Sequence, residues 1–228
     1  MSPQDDPQNF PARFFRLVAN SALNRVRNIY FMTRESLGHT KRDEVVNRVV
    51  RARDSLESAK GHFKTALYTF SATSDFNGGS LKTHYLKLKQ ELETSSRQAQ
   101  EVSTRIRGVE AVCAALFDEW ELELAEYNNR QLKSTSKQQL KQARQHYKRL
   151  IIAMHQAEAK ISPVMSAFKD QVLFLKHNLN AQAISSLHQE LRTIGIDIAL
   201  LIKAMENSII EANAFMDCVT EQKALPQG

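Results

Sequence analysis

The chain is predicted to be all-α: an elongated antiparallel four-helix bundle or set of coiled-coil hairpins, with an extra amphipathic helix at the N-terminus. Three observations predict this. Apolar residues recur in steps of four and three along four long segments, the spacing of a helical stripe. Turn-forming residues are scarce, with seven glycines and five prolines in 228 residues. Three of those prolines precede residue 12 and Pro226 sits at the other end, so only Pro163 lies within the body; a β-rich chain needs far more turn chemistry. Finally, aromatic residues make up only 7% while Ala, Leu, Lys, Glu, Gln and Arg abound, as long helices prefer.

The elements follow in chain order. Residues 1–38 read as a disordered start followed by an amphipathic helix. At 100° per residue Arg13, Arg16, Asn20, Arg27 and Arg34 fall within an arc of about 60°. Phe15, Val18, Ala19, Ala22, Val26 and Ile29 occupy the far side, and no acidic residue appears between Pro11 and Thr33. Residues 39–221 read as the bundle and 222–228 as a flexible tail. Its first helix carries Val45, Val49, Ala52, Leu56, Ala59, Phe63, Ala66 and Phe70, with Thr40 and Asp43 resembling a capping box at its start. Alanine fills one seam row three times running, which lets a partner helix approach closely while the larger row fills its grooves.

Asp75 to Gly79 breaks this helix and Ser80 suits an N-cap. The second segment runs Leu81, Tyr85, Leu88, Leu92, Ser95, Ala99, Val102, Ile106, Val109, Cys113, Leu116 and Trp120 without a slip, reaching Tyr127 before Asn128 and Asn129 end it. The third keeps the beat from Leu140 through Leu150, Ile161 and Phe168 to Leu175. Pro163 is expected to kink or interrupt it, because proline lacks an amide donor and crowds the preceding turn. Asn178 and Asn180 suit a corner. The fourth segment runs from Ile184 through Leu191, Ile198 and Met205 to Val219. Ser95, Gln171 and Ser208 interrupt the seams, as polar residues that fix register do. Gly108 and Gly195 are expected at close backbone contacts.

Several runs resemble a bacterial family known as domain of unknown function 2959. They are Gly38-His39-Thr40-Lys41-Arg42, the Phe-Asn-Gly-Gly core within Ser74 to Leu81, and Ala115-Leu116-Phe117-Asp118-Glu119-Trp120. Ala157-Glu158-Ala159-Lys160 with Pro163-Val164, and Leu173 to Ala181, complete the likeness. It spans about Tyr30 to Phe215 and implies no activity, cofactor or site residue. Many relatives carry a lipoprotein-type cysteine ahead of the Tyr30 region; here the chain has Arg25-Val26-Arg27-Asn28, so that envelope location does not transfer.

The chemistry-bearing residues do not assemble a recognised motif. There is no HExxH, P-loop, GxGxxG or Glu-x-x-His, so neither a catalytic nor a metal site is expected, and no cofactor. Two cysteines without a CxxC, Cys113 and Cys218, read as reduced thiols. The formal charge of +6 does not by itself specify nucleic acid. With no secretory or membrane-spanning segment expected, the expected location is cytoplasmic or peripheral to the cytoplasmic membrane.

Two basic surfaces remain. Arg13, Arg16, Arg27 and Arg34 could contact an anionic membrane surface; the plainer reading packs that helix on the bundle. Lys133, Lys137, Lys141, Arg144 and Lys148, with Arg130 and Arg149, form a stripe that could contact anions, including nucleic-acid phosphates. The plainer reading sets that stripe against Asp118, Glu119, Glu121, Glu123 and Glu126 of the preceding helix, where opposite charges offset unfavourable positions on each helix dipole. The leading functional expectation is a non-enzymatic scaffold acting through protein partners or self-association. A membrane-peripheral role is the alternative, and nucleic-acid binding the weaker one.

Overall fold

The computed structural model describes the backbone of residues 10–75, 80–178 and 181–224; side-chain surroundings are described from residue 41, apart from 181–183, 186 and 222–224. Four helices account for nearly all of it: α1 (Phe10–Ser74), α2 (Leu81–Glu126), α3 (Arg130–His177) and α4 (Ala181–Ala224). The chain divides into two units, residues 1–43 and 44–228. In the first unit the described element is the helical backbone from Phe10 onward. The second unit is the bundle, formed by α1 from Glu44 together with α2, α3 and α4.

Contacts between named residues fix the bundle's topology. Along α2 and α3, Phe117 meets Tyr147 and Glu110 meets His155, so the residue number falls on one helix as it rises on the other. Lys60 with Glu206, and Leu67 beside Gly195, give the same antiparallel sense for α1 and α4. Arg149 reaches Glu211 from α3 to α4. Phe70 of α1 packs edge-on against Phe168 of α3, with ring centroids 6.1 Å apart. The helices therefore run up, down, up and down, as short connections demand.

The interior is the heptad stripe. Val45, Val49, Leu56, Phe63 and Phe70 of α1 are buried with Ala52, Ala59 and Ala66. Val102, Ile106, Val109, Cys113 and Leu116 bury the matching face of α2. Leu150, Met154, Ile161 and Phe168 do so on α3, and Ile198, Leu201, Met205 and Phe215 on α4. All belong to one continuous core. At about 1.5–3 kcal/mol for each fully buried large apolar side chain, that core is what holds the helices lengthwise. Leu92, Ala99 and Leu191 lie on the stripe but are only partly buried against it.

Two local expectations change, at Thr40 and Pro163, and the expected cap residues take distinct roles. The helix does not start near Thr40: α1 is continuous through Gly38 and His39, so the amides of 40–43 find carbonyls in the preceding turn and no capping box is needed. Pro163 lies inside an unbroken α3. Both it and Ala159, whose carbonyl loses its usual donor, are exposed, so water can serve the freed acceptor and the ring meets no neighbouring helix. Ser80 takes the extended backbone of an N-cap without a side-chain bond to a described residue, whereas Asn129 accepts from the amides of Gln131 and Leu132 at 2.9 and 3.2 Å. Asn178 closes α3 through both its backbone and side-chain nitrogens, which donate to the Phe174 carbonyl at 3.1 Å.

The glycines differ most. A Cβ at Gly108 or Gly195 would come no closer than 3.8 Å to Arg48 or Leu67 respectively, which is ordinary van der Waals contact. Neither position requires glycine for space. Gly108→Ala and Gly195→Ala are each expected to stabilise the chain by about 0.5–1 kcal/mol through reduced unfolded-state entropy; a lower urea midpoint in either variant would contradict the spacing.

Candidate interaction surface

Trp120 is the first side chain whose chemistry constrains its surroundings. It is buried near the end of α2, and its indole N–H donates to the buried hydroxyl of Ser136 on α3 at 2.9 Å. A buried indole needs such a partner, so this bond fixes the register of the α2–α3 hairpin close to its turn. Deeper in the bundle, Tyr147 stacks edge-on with Phe117 at 5.4 Å and tilts against Phe215 at 6.3 Å, joining α2, α3 and α4. Burial, with Cys113 and Glu110 nearby, pushes the Tyr147 phenol up to about 12. Burial likewise pushes the Cys113 thiol up to about 12, so it stays protonated and unreactive at neutral pH.

The basic stripe of α3 is only partly neutralised by α2. Arg144 forms an ion pair with Glu121 and lies over the Phe117 ring, 5.5 Å from its centroid. Its hydrogen bond and charge hold the Glu121 carboxyl below the usual range. Arg149 turns instead toward Glu211 of α4 at 3.4 Å. Arg130, Lys133, Lys137, Lys141 and Lys148 are exposed and form no ion pair with a described residue. Glu119, Glu123 and Glu126 have interactions of their own. The expected face-to-face neutralisation thus reduces to Arg144, because flexible exposed lysines gain little from an ordered pair. The side chains of Arg13, Arg16, Arg27 and Arg34 lie outside the described residues.

One cluster is not apparent from sequence alone. His155 of α3 has Nδ1 3.0 Å from Glu158 Oε2 and Nε2 2.9 Å from Glu110 Oε1 on α2. Ser103 of α2 donates to the other Glu158 oxygen. A carboxylate at each ring nitrogen favours the imidazolium form, in which both nitrogens donate. The Glu110 hydrogen bond, then that of Glu158, raises the His155 pKa above its ordinary value. Burial opposes ionisation of Glu158, yet Ser103, His155 and Arg107 together hold its pKa below the usual value.

Chemically this cluster is a clamp between α2 and α3. The serine bonds a carboxylate and not the imidazole, so it lacks the adjacent base that nucleophile activation requires. The two carboxylates sit on opposite sides of the ring and do not converge on one point. Among the described residues no group of three or more His, Cys, Asp or Glu is placed to hold a metal ion. The His155–Glu158 half has a sequence signal in its three-residue spacing; Glu110 becomes visible only once the hairpin register is known.

The clamp should make stability depend on pH. His155 has a raised folded pKa, so its contribution is full below the unfolded value near 6.5 and is lost as pH rises through the folded value. Glu158 has a lowered one, so its contribution fades as pH falls from about 4.5. Because the imidazole is half exposed, the change is at most about 1 kcal/mol. The urea midpoint should fall between pH 6 and 9, and His155→Gln should flatten that slope. An equal slope in the variant would remove the clamp.

A family model described as protein of unknown function matches residues 30–219. The chain belongs to this family, DUF2959. The DUF2959 match spans all four helices and includes the Trp120–Ser136 bond, the His155 clamp and the exposed α3 lysines, as well as Arg34; Arg13, Arg16 and Arg27 precede it. No curated protein matches the chain. Among the described residues, no helix of this DUF2959 member is long and apolar enough to cross a membrane.

Proposed function

We propose that the protein is a non-enzymatic helical scaffold that works by presenting its helix faces to other protein surfaces. One observation carries this reading: the stripe residues of all four helices fill a single continuous core, while large apolar residues remain on the outward faces. Ile106, Leu150 and Ile198 are buried, and Tyr68, Leu122, Ile196 and Ile210 are each more than half exposed. Exposed apolar residues set among charged ones are what a helix-packing partner uses. The reading is tested by chemical crosslinking of the full chain in its host, with mass spectrometry of the linked peptides. Links should concentrate on the exposed apolar and lysine positions and vanish when Ile196, Leu200 and Ile210 become glutamate in a chain of unchanged helicity. The absence of any reproducible protein link would reject it.

A second reading is a peripheral protein at an anionic membrane surface, cytoplasmic in location. It is supported by the unbroken helical backbone from Phe10 together with the segregation of Arg13, Arg16, Arg27 and Arg34 from apolar residues in the sequence. Vesicles containing phosphatidylserine should float with the full chain and not with a chain beginning at His39. Equal behaviour of the two would reject the anchor.

A further inference from the structure

The outward side of α4 carries a second heptad row in addition to the one that builds the core. The inner row is Ile194, Ile198, Leu201, Met205, Ser208, Ala212, Phe215 and Val219, all buried. The outer row is Gln189, Thr193, Ile196, Leu200, Lys203, Asn207, Ile210, Ala214, Asp217 and Glu221, in unbroken steps of four and three. All are exposed except the half-buried Ala214. Ile196, Leu200 and Ile210 are 59%, 48% and 63% accessible. A helix with apolar stripes on two sides has a second partner to find. The outward row of α3 does not repeat the pattern, reading Gln145, Arg149, Ile152, Gln156 and then Pro163.

We propose that this outer row of α4 pairs antiparallel with the same row of a second copy of the chain, about a two-fold axis passing beside Met205. The row is complementary to itself under that operation along its whole length. Leu200 meets the second copy's Ile210, and Ile196 meets its Ala214. Lys203 meets Asn207, whose side-chain carbonyl accepts from the ammonium. Thr193 meets Asp217 and donates to its carboxylate, and Gln189 meets Glu221 in the same way. Apolar residues face apolar ones and each charge faces a neutral polar group.

A parallel pairing in register sets Lys203 against Lys203, Asp217 against Asp217 and Glu221 against Glu221, three like-charge contacts on one interface. Charge therefore selects the antiparallel arrangement. The acids flanking the row do not undo it: Glu206, which approaches its own copy across the axis, has Lys60 at 3.7 Å, and Glu211 has Arg149 at 3.4 Å. The polar centre, Lys203 and Asn207, fixes the register as a single polar pair does in a coiled coil. Symmetry makes the surface isologous, so assembly closes at two copies and does not propagate.

This inference rests on the protein–protein reading and narrows it to one face and one partner. Sedimentation equilibrium of the full chain should give twice the 26.0 kDa chain mass. Leu200→Glu and Ile210→Glu should each weaken the dimer roughly 100-fold while circular dichroism and the melting profile of the monomer stay unchanged. On a Cys218→Ser background, Leu200→Cys with Ile210→Cys should oxidise to a covalent dimer, and Leu200→Cys alone should not. The proposal is overturned if the wild-type chain is monomeric at about 100 µM, if it dimerises as well with Leu200→Glu as without, or if Leu200→Cys alone links as readily as the double variant. A monomeric chain whose host crosslinks persist overturns this dimer and leaves the broader scaffold reading standing.

Discussion

Phe168→Ala is expected to lower the stability of the chain by about 3–5 kcal/mol, with a matching fall in the urea midpoint at an unchanged slope. Phe168 is only 2% exposed and sits on α3 with its ring edge-on to Phe70 of α1, itself 1% exposed. These two helices are not sequence neighbours, and their aromatic contact closes the centre of the bundle between the α2 and α4 flanks. Truncation removes the transfer energy of a large apolar side chain and leaves a cavity that long, mutually braced helices cannot collapse around. The edge-on pair adds about 0.5–1.5 kcal/mol of its own. Phe70→Ala with Phe168→Ala should therefore cost less than the sum of the single losses, because the contact can be lost only once. Leu173→Ala is the control: it lies on the same helix, one turn away, but half exposed, and should change stability by no more than about 0.5 kcal/mol. Equal losses at 168 and 173 would mean that the core does not run through this level of the bundle.

The contrast between those two leucine-sized and phenylalanine-sized positions was legible in the sequence, and for a physical reason. A stripe repeating every 3.5 residues can hide from water only between lengthwise neighbours, so Phe168 had to point inward and Leu173 outward once the phase of Ile161, Val164 and Leu175 was set. The same phase places Pro163 outward, between Ile161 and Val164, and explains why α3 continues through it; of the kink or interruption expected from proline's chemistry, the outward direction of the ring removes the interruption. Thr40 misled for the opposite reason. A threonine followed three residues later by an acid is the same string whether the helix begins there or passes through, and only the helicity of residues 10–39 distinguishes the two.

Side-chain pairing between helices was less legible than burial. Trp120 announced its need for an acceptor, but Ser136 could be named only after the hairpin was registered. The acidic end of α2 and the basic start of α3 were expected to neutralise each other broadly. Among the described residues Arg144 pairs with Glu121, while Arg149 reaches across to α4. Sequence gives the sign and the face of each charge; which long side chain is worth ordering depends on local gains below about 1 kcal/mol, which no periodic pattern encodes.

Ser95→Ala and Ser208→Ala are each expected to stabilise the chain by about 1–2 kcal/mol, raising the urea midpoint without changing its slope. Both serines occupy seam positions with no accessible surface, and neither hydroxyl has a hydrogen-bond partner among the described residues. Several other helical hydroxyls return to the carbonyl one turn back: Thr73 to Thr69 at 2.8 Å, Thr104 to Gln100 at 2.9 Å and Thr220 to Met216 at 2.8 Å. Ser95 and Ser208 do not, so each carries the desolvation cost of a buried polar atom with no return. Alanine keeps the Cβ, removes the cost and leaves a void smaller than a methyl group. On α2 and α4 the two effects should add if the sites are independent. The polar breaks then have a different justification, namely that an all-apolar seam lets long helices slide by a heptad. The double variant should therefore be more stable and also less uniquely paired, seen as disulfide trapping of more than one α2–α3 or α3–α4 register by engineered cysteines along those neighbouring helices. A fall in the midpoint of either single variant would show instead that the hydroxyl takes part in a bonded network and that the seam depends on it for stability.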